Sequence, residues 1–146
     1  MELEIAVPAV PQRLEDLHQA LARLWREVDR VWPRPPDAMW RAQFSTGVGE
    51  IGANIMKYAY PSDTPGMLAF RLRVFDHSIE ACLSDTGRAF EGEIVAAAPE
   101  PADPLLLADG GRGIPLAKAA VDDLTYERSP GGTNRWCLTK RSAANA

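Results

Sequence analysis

The segment from Phe90 to Asp109 places the strongest constraint on the fold, because it cannot form a long helix or strand. No Lys or Arg interrupts its acidic residues, and Pro99, Pro101 and Pro104 break regular structure. A connection of about 20 residues is also longer than compact domains normally contain. Such segments are either functional lids or disordered, and we interpret residues 91–109 as a mobile lid.

The composition indicates one globular domain over residues 1–146. Hydrophobic residues make up 46% and charged residues 25% of the chain, which is enough apolar material for a core. The net charge of −4 argues against direct binding of nucleic acid, which requires a basic face. The two cysteines, Cys82 and Cys137, both fall in predicted strands, and we predict free, partly buried thiols.

The N-terminal sequence predicts a protein of the cytoplasm. It is acidic and lacks the positively charged start of a signal peptide. No apolar run approaches the roughly 20 residues that a membrane helix needs. We therefore expect no membrane association.

Two helices are predicted in the first half of the chain. From Arg13, apolar residues recur at steps of three and four, which is typical of an amphipathic helix, and Pro33 ends it. A second helix is predicted from the N-cap residue Asp37 to Tyr58. Each glycine inside a helix lowers helix stability by about 1 kcal/mol relative to alanine, so the three glycines of this second helix need an explanation. Tight packing and space for a ligand both stay open as explanations for Gly47, Gly49 and Gly52.

Strand patterns alternate with the helices and define the fold class. Their predicted ranges are Leu3–Val7, a hairpin of Met67–Phe75 with Ile79–Leu83, Asp123–Arg128 and Thr133–Thr139. A third helix is predicted from Gly113 to Val121, and the chain is expected to fray after Thr139, with residues 141–146 as a tail. The order predicts an α+β fold, a two-layer sandwich with helices on one face of a mostly antiparallel sheet.

The second helix carries the first candidate site residues. Glu50 and Asn54 are four residues apart, so they point from one face on successive turns. A carboxylate can take a proton from a hydroxyl, and an amide oxygen can hold Mg²⁺. By itself the pair is weak evidence, because a Glu and an Asn stacked on a helix usually form only a solvated face.

Two further motifs can likewise be explained either as a ligand site or as ordinary local structure. Asp85 ends a strand and Gly87 follows, which fits either an acceptor for an exocyclic amine or an ordinary turn. Gly110-Gly111-Arg112-Gly113 precedes a helix, where backbone N–H groups and the helix dipole favour phosphate. A flexible hinge fits the same residues.

The order of these motifs resembles one family, the GHKL ATPases. Glu50-x-x-x-Asn54 with Lys57-Tyr58 resembles the N box of that family, and Asp85-x-Gly87 resembles its G1 box. Gly111-Arg112-Gly113 looks like the G2 box. The segment Ser129–Thr133 is similar to the last hairpin of bacterial anti-sigma-factor serine/threonine kinases, and the short chain points to that subgroup.

The resemblance implies a role for each matched residue. It makes Glu50 the general base and Asn54 the ligand of a Mg²⁺ ion that accompanies ATP. It places Lys57, Gly111, Arg112 and Gly113 at the nucleotide, with the two glycines at the phosphates. It assigns the adenine to Asp85, Gly87 and Thr133. Two positions depart from the family pattern, Tyr58 in the N box and Ala89 in the G1 box.

The implied activity is that of a serine/threonine protein kinase. The expected partners are an anti-anti-sigma factor of the STAS type and a sigma factor, and a homodimer is expected. An alternative is an ATP-binding partner-switching module without kinase activity. The retained Glu50 favours the kinase. A third possibility is a scaffold that binds no nucleotide: the three boxes argue against it, and Ala89 keeps it open.

Overall fold

The computed structural model describes residues 1–92, 94 and 113–143 of the chain. A short 3₁₀ turn at Pro11–Arg13 leads into the first helix. The helices are α1 (Leu14–Val31), α2 (Ala38–Tyr58) and α3 (Gly113–Ala120). The strands are β1 (Glu2–Pro8), β2 (Met67–Val74), β3 (Ser78–Asp85), β4 (Asp123–Arg128) and β5 (Asn134–Arg141).

The five strands form one antiparallel sheet in the order β1-β2-β3-β5-β4. β5 inserts between β3 and β4, so the two central strands β3 and β5 are far apart in sequence. The helices pack on one face of this sheet, which confirms the predicted α+β class. We call the helix-covered face the inner face and the opposite one the outer face. No helix among the described residues is long and apolar enough to cross a membrane.

The core lies between the inner face and the helices. α1 contributes one buried stripe at helical spacing, as its sequence predicts. Alternate residues of β2, β3 and β5 complete the core, because side chains of a strand point to opposite faces in turn. Its largest fully buried members include Leu17, Leu21, Leu24, Phe44, Ile51, Ile55, Leu68, Phe70, Leu72, Ile79, Leu83 and Trp136.

Two glycines of α2 serve close packing. A β-carbon at Gly52 would lie 2.6 Å from Leu17 Cδ1, so Gly52 lets α1 and α2 approach closely. A β-carbon at Gly47 would lie 3.1 Å from Leu138 Cδ2 of the sheet. A β-carbon at Gly49 would make only ordinary contact with the His18 ring, at 3.7 Å. Of the two explanations that the sequence leaves open, packing therefore accounts for Gly47 and Gly52.

Two expectations are wrong. The last strand does not fray at Thr139: it continues to Arg141, and Ser142 is buried, with its amide donating to the His77 carbonyl at 2.8 Å. The cysteines are not free thiols, because Cys82 and Cys137 form a disulfide. They are direct cross-strand neighbours of β3 and β5, with Cα atoms 4.2 Å apart. The two cysteines are 55 residues apart in the sequence, and local patterns do not reveal that their strands are neighbours in the sheet.

Candidate functional site

The N-box residues lie on the second half of α2, beside the start of α3. Glu50 and Asn54 are half-buried, whereas Lys57 is exposed in the last turn. A β-carbon at Gly113 would lie 3.1 Å from Glu50 Oε2, so the Glu50 carboxylate packs directly against the first residue of α3. The structure therefore brings together two predicted site residues that are separated by more than 60 positions in the sequence.

Asp85 ends β3 as a buried carboxylate. It is 4% exposed, and its Oδ1 atom accepts hydrogen bonds from the Gly87 amide and from Asn134 Nδ2, each at 2.8 Å. The first bond closes a tight turn after the strand. The second comes from the neighbouring strand, at the residue that pairs with Asp85 in the sheet. Asp85 is therefore a buried carboxylate whose Oδ1 atom is held by two hydrogen bonds.

The turn after Asp85 docks on the C-terminal end of α2. A β-carbon at Gly87 would lie 2.1 Å from the Ala59 carbonyl oxygen, a separation that no side chain tolerates. The Arg88 amide donates to the same oxygen at 2.7 Å. The Arg88 guanidinium donates to the Tyr58 carbonyl at 2.8 Å, where a cation also interacts favourably with the helix dipole. Close approach of Ala59 thus gives Gly87 a structural reason, separate from the expected contact with adenine.

A hydrogen-bonded cluster joins this turn to the β4–β5 hairpin. The Tyr126 hydroxyl donates to Asn134 Oδ1 at 2.6 Å, and Arg128 Nη1 donates to the same atom at 2.8 Å. Tyr126 also accepts from the Phe90 amide at 3.0 Å. The rings of Phe90, Tyr126 and Trp136 contact one another, with centroids 4.6–5.6 Å apart. The cluster therefore anchors the last residue before the acidic segment to the hairpin.

Asn134, rather than Thr133, contacts Asp85. Thr133 lines a groove on the outer face beside Ser84 and Arg135. A shift of one residue along a strand moves a side chain to the opposite face, so Asn134 and Thr133 point to different sides of the sheet. The placement of Thr133 near the adenine stays a prediction. Strand alternation could have identified Asn134 from the sequence. Asn134 lies two residues before the buried Trp136, so both side chains point to the same face of the sheet.

Some residues of the predicted site and lid lie outside the part of the chain that the structure describes. Gly111, Arg112 and most of the predicted lid, residues 93 and 95–109, lie outside the described residues. Of the G2 motif only Gly113 is described, as the buried first residue of α3. Sequence reasoning missed Asn134, Tyr126 and Arg128, which form the polar cluster around Asp85.

Comparison with known proteins agrees with this arrangement. The sequence model of the histidine kinase-like ATPase domain matches residues 10–137. The chain belongs to this family. No curated protein is significantly similar to the chain. The matched range of this histidine-kinase-like ATPase domain includes Glu50, Asp85 and Gly113, the three residues around which the site is built.

The chemistry of the donor set fits the nucleotide that such a domain uses. Asp85 offers a buried carboxylate acceptor to an exocyclic amine. Glu50 and Asn54 offer oxygen atoms on adjacent turns, and hard oxygen ligands are what Mg²⁺ prefers. Gly113 brings a helix N-terminus, whose first N–H groups have no acceptor within the helix, next to Glu50. The described part of the site thus presents a buried carboxylate acceptor at Asp85, and oxygen ligands beside a helix start at Glu50 and Asn54.

Proposed function

We propose that this domain is an ATP-dependent serine/threonine protein kinase that acts as an anti-sigma regulatory factor. Its substrate would be an anti-anti-sigma protein of the STAS type, and a sigma factor would be its second partner. The observation that carries the proposal is the contact of Glu50 with Gly113. That contact sets a candidate general base beside the helix start where the family resemblance places phosphate.

Glu50 would accept the proton of the substrate Ser or Thr hydroxyl. Phosphoryl transfer depends mostly on positioning and electrostatic stabilisation, so a small domain with one base suffices. Asn54, one turn further along α2, would hold Mg²⁺, which neutralises charge on the transferred phosphoryl group when bound. The half-buried setting of Glu50 and Asn54 keeps both side chains in defined positions while leaving them accessible.

The proposal includes a homodimer. β1 is an edge strand that pairs with β2 on one side, and its second edge is unpaired among the described residues. Such an edge presents free N–H and C=O groups to another strand. Light scattering should give the mass of two chains, and a monomer at high concentration would contradict this part of the proposal.

The decisive experiment incubates the protein with γ-labelled ATP and STAS proteins from the same genome. Wild type should label one of them on Ser or Thr. Glu50→Gln should retain ATP binding but lower the transfer rate about 10²- to 10⁴-fold, the usual contribution of general-base catalysis. Glu127→Gln, the same change on the exposed part of β4, is the matched control.

The outcomes separate the kinase from the alternative module. ATP binding by calorimetry without transfer to any STAS protein would favour a partner-switching module that only binds ATP. A wild-type rate in Glu50→Gln would show that the base is assigned wrongly. Absence of nucleotide binding by wild type would contradict both functions.

A further inference from the structure

We propose that Asn134 is a positioning residue that holds the Asp85 carboxylate as an acceptor and thereby sets a preference for adenine over guanine nucleotides. This inference rests on the proposed function, because Asp85 reads a base only in a domain that binds nucleotide. Asn134 acts through Asp85.

The hydrogen bonds of Asn134 fix its amide in one orientation. Nδ2 faces three oxygen atoms: Asp85 Oδ1 at 2.8 Å, the Arg88 carbonyl at 3.0 Å and the Gly87 carbonyl at 3.2 Å. Oδ1 accepts from the Tyr126 hydroxyl and from Arg128 Nη1. If the amide were flipped, Oδ1 would face the three oxygen atoms, and Nδ2 would face the groups that now donate to Oδ1. The side chain is 2% exposed, so water cannot replace these partners.

The fixed amide in turn fixes Asp85. Both the Asn134 amide and the Gly87 backbone amide donate to Oδ1. Oδ2 takes part in neither bond, so it is the oxygen left to accept from a base. Adenine presents an amine donor at the position where guanine presents a carbonyl, and a carboxylate attracts the first and repels the second. Selection between the bases therefore requires that Asp85 neither rotates nor turns away.

The same amide ties the turn after β3 to β5. Its bonds to the Gly87 and Arg88 carbonyls hold the backbone that also docks on Ala59 of α2. Loss of the donor at position 134 should therefore loosen the turn even when no nucleotide is present. This gives the proposal a readout that is independent of ATP.

The test compares Asn134→Thr with Asn134→Val, two side chains of nearly equal shape that differ in one hydroxyl donor. Competition of ATP and GTP against trinitrophenyl-ATP measures both affinities. We expect the Thr variant to bind ATP about tenfold or more tightly than the Val variant. In the Val variant Asp85 is free to turn away, and the adenine amine then loses its hydrogen bond to a charged group, which contributes roughly that factor. The ATP-to-GTP affinity ratio should fall in the Val variant and recover in the Thr variant.

Hydrogen exchange of the free protein is the second measurement. The Gly87 amide and its neighbours should exchange faster in Asn134→Val than in Asn134→Thr. Thr139→Ala, a change on the outer face of the same strand, controls for general loosening of β5. Because Thr and Val fill the same volume, a packing role alone predicts no difference between the two variants.

The outcomes distinguish this inference from the proposed function. Equal ATP affinities and equal nucleotide ratios in the Thr and Val variants of a wild type that binds ATP would overturn the role of Asn134 and leave the kinase standing. A wild type that binds neither ATP nor GTP would overturn the proposed function and base selection together. In that case the exchange data still decide the positioning role, and equal Gly87 exchange in the two variants would overturn it as well.

Discussion

The two faces of the sheet differ in what holds them together. The inner face is apolar along most of its length, and its most deeply buried polar pair, Asp85 and Asn134, lies at one end. Towards the other end, Lys140 is buried on the same face and donates to the Ala120 carbonyl. The outer face carries ion pairs in partly exposed side chains, such as Arg73 with Glu80 and Arg141 with Asp123. Its covalent element is the disulfide of Cys82 and Cys137.

The difference shows two kinds of interaction within the same strands. Burial of apolar area on the inner face contributes about 25 cal/mol per Å², whereas an exposed ion pair contributes about 0–1 kcal/mol. Buried polar groups cost free energy unless they are fully hydrogen-bonded, and the bonds among Asp85, Gly87 and Asn134 offset that cost. The role that we propose for this cluster is the binding of a nucleotide base. We propose no such role for the charges on the outer face.

The largest effect on stability is expected on the inner face of β5. Leu138 is fully buried against Gly47, and Leu138→Ala should lower the free energy of unfolding by about 2–5 kcal/mol through lost burial and a residual cavity. Thr139→Ala, the next residue but on the outer face, should change it by less than about 0.5 kcal/mol. Denaturant unfolding measures both, and equal losses would contradict the comparison of the faces.

The disulfide should be the outer face's main contribution. Replacing both cysteines by serine should cost about 2–4 kcal/mol, chiefly because the unfolded chain is no longer closed into a loop. Wild type treated with a thiol reductant should unfold at the same denaturant concentration as the double variant. A wild type whose unfolding does not respond to the reductant would show that the bridge contributes nothing.

A smaller change, in the free energy of ATP binding rather than of unfolding, is expected at the end of the inner face that carries Asp85 and Asn134. Asp85→Asn replaces a charged acceptor and should weaken ATP binding about tenfold or more, since a hydrogen bond to a charged group is worth roughly 1.5–3 kcal/mol. Asp123→Asn on the outer face is the matched control and should bind ATP like wild type. Calorimetry that finds the same affinity in both variants would remove Asp85 from the base-reading role.

The smallest effect is expected for the ion pair on the outer face. The hydrogen bond from Arg73 to Glu80 raises the pKa of the arginine, but both side chains are partly exposed. Glu80→Gln should therefore change the free energy of unfolding by only about 0–1 kcal/mol, and by less as salt screens the pair. A loss of several kcal/mol, insensitive to salt, would place this pair among the core interactions.

Much of the site was predictable because its residues form local patterns. Glu50 and Asn54 are one helical turn apart, and Asp85 ends a strand that alternation identifies. The contact of Glu50 with Gly113 was not predictable from spacing, because it depends on how α2 and α3 pack. The family resemblance assigned Glu50 and Gly113 separate roles at the nucleotide but did not predict their contact.

The sequence by itself determined the helices, the strands and the α+β class, because periodicities of 3.6 and 2 reflect which side of each element is apolar. The tertiary structure decided the disulfide, the continuation of β5 to Arg141 and the contact of Asn134 with Asp85. All three depend on β5 lying between β3 and β4 in one register. Register is set by long-range packing, and a displacement of one residue exchanges the two faces of a strand.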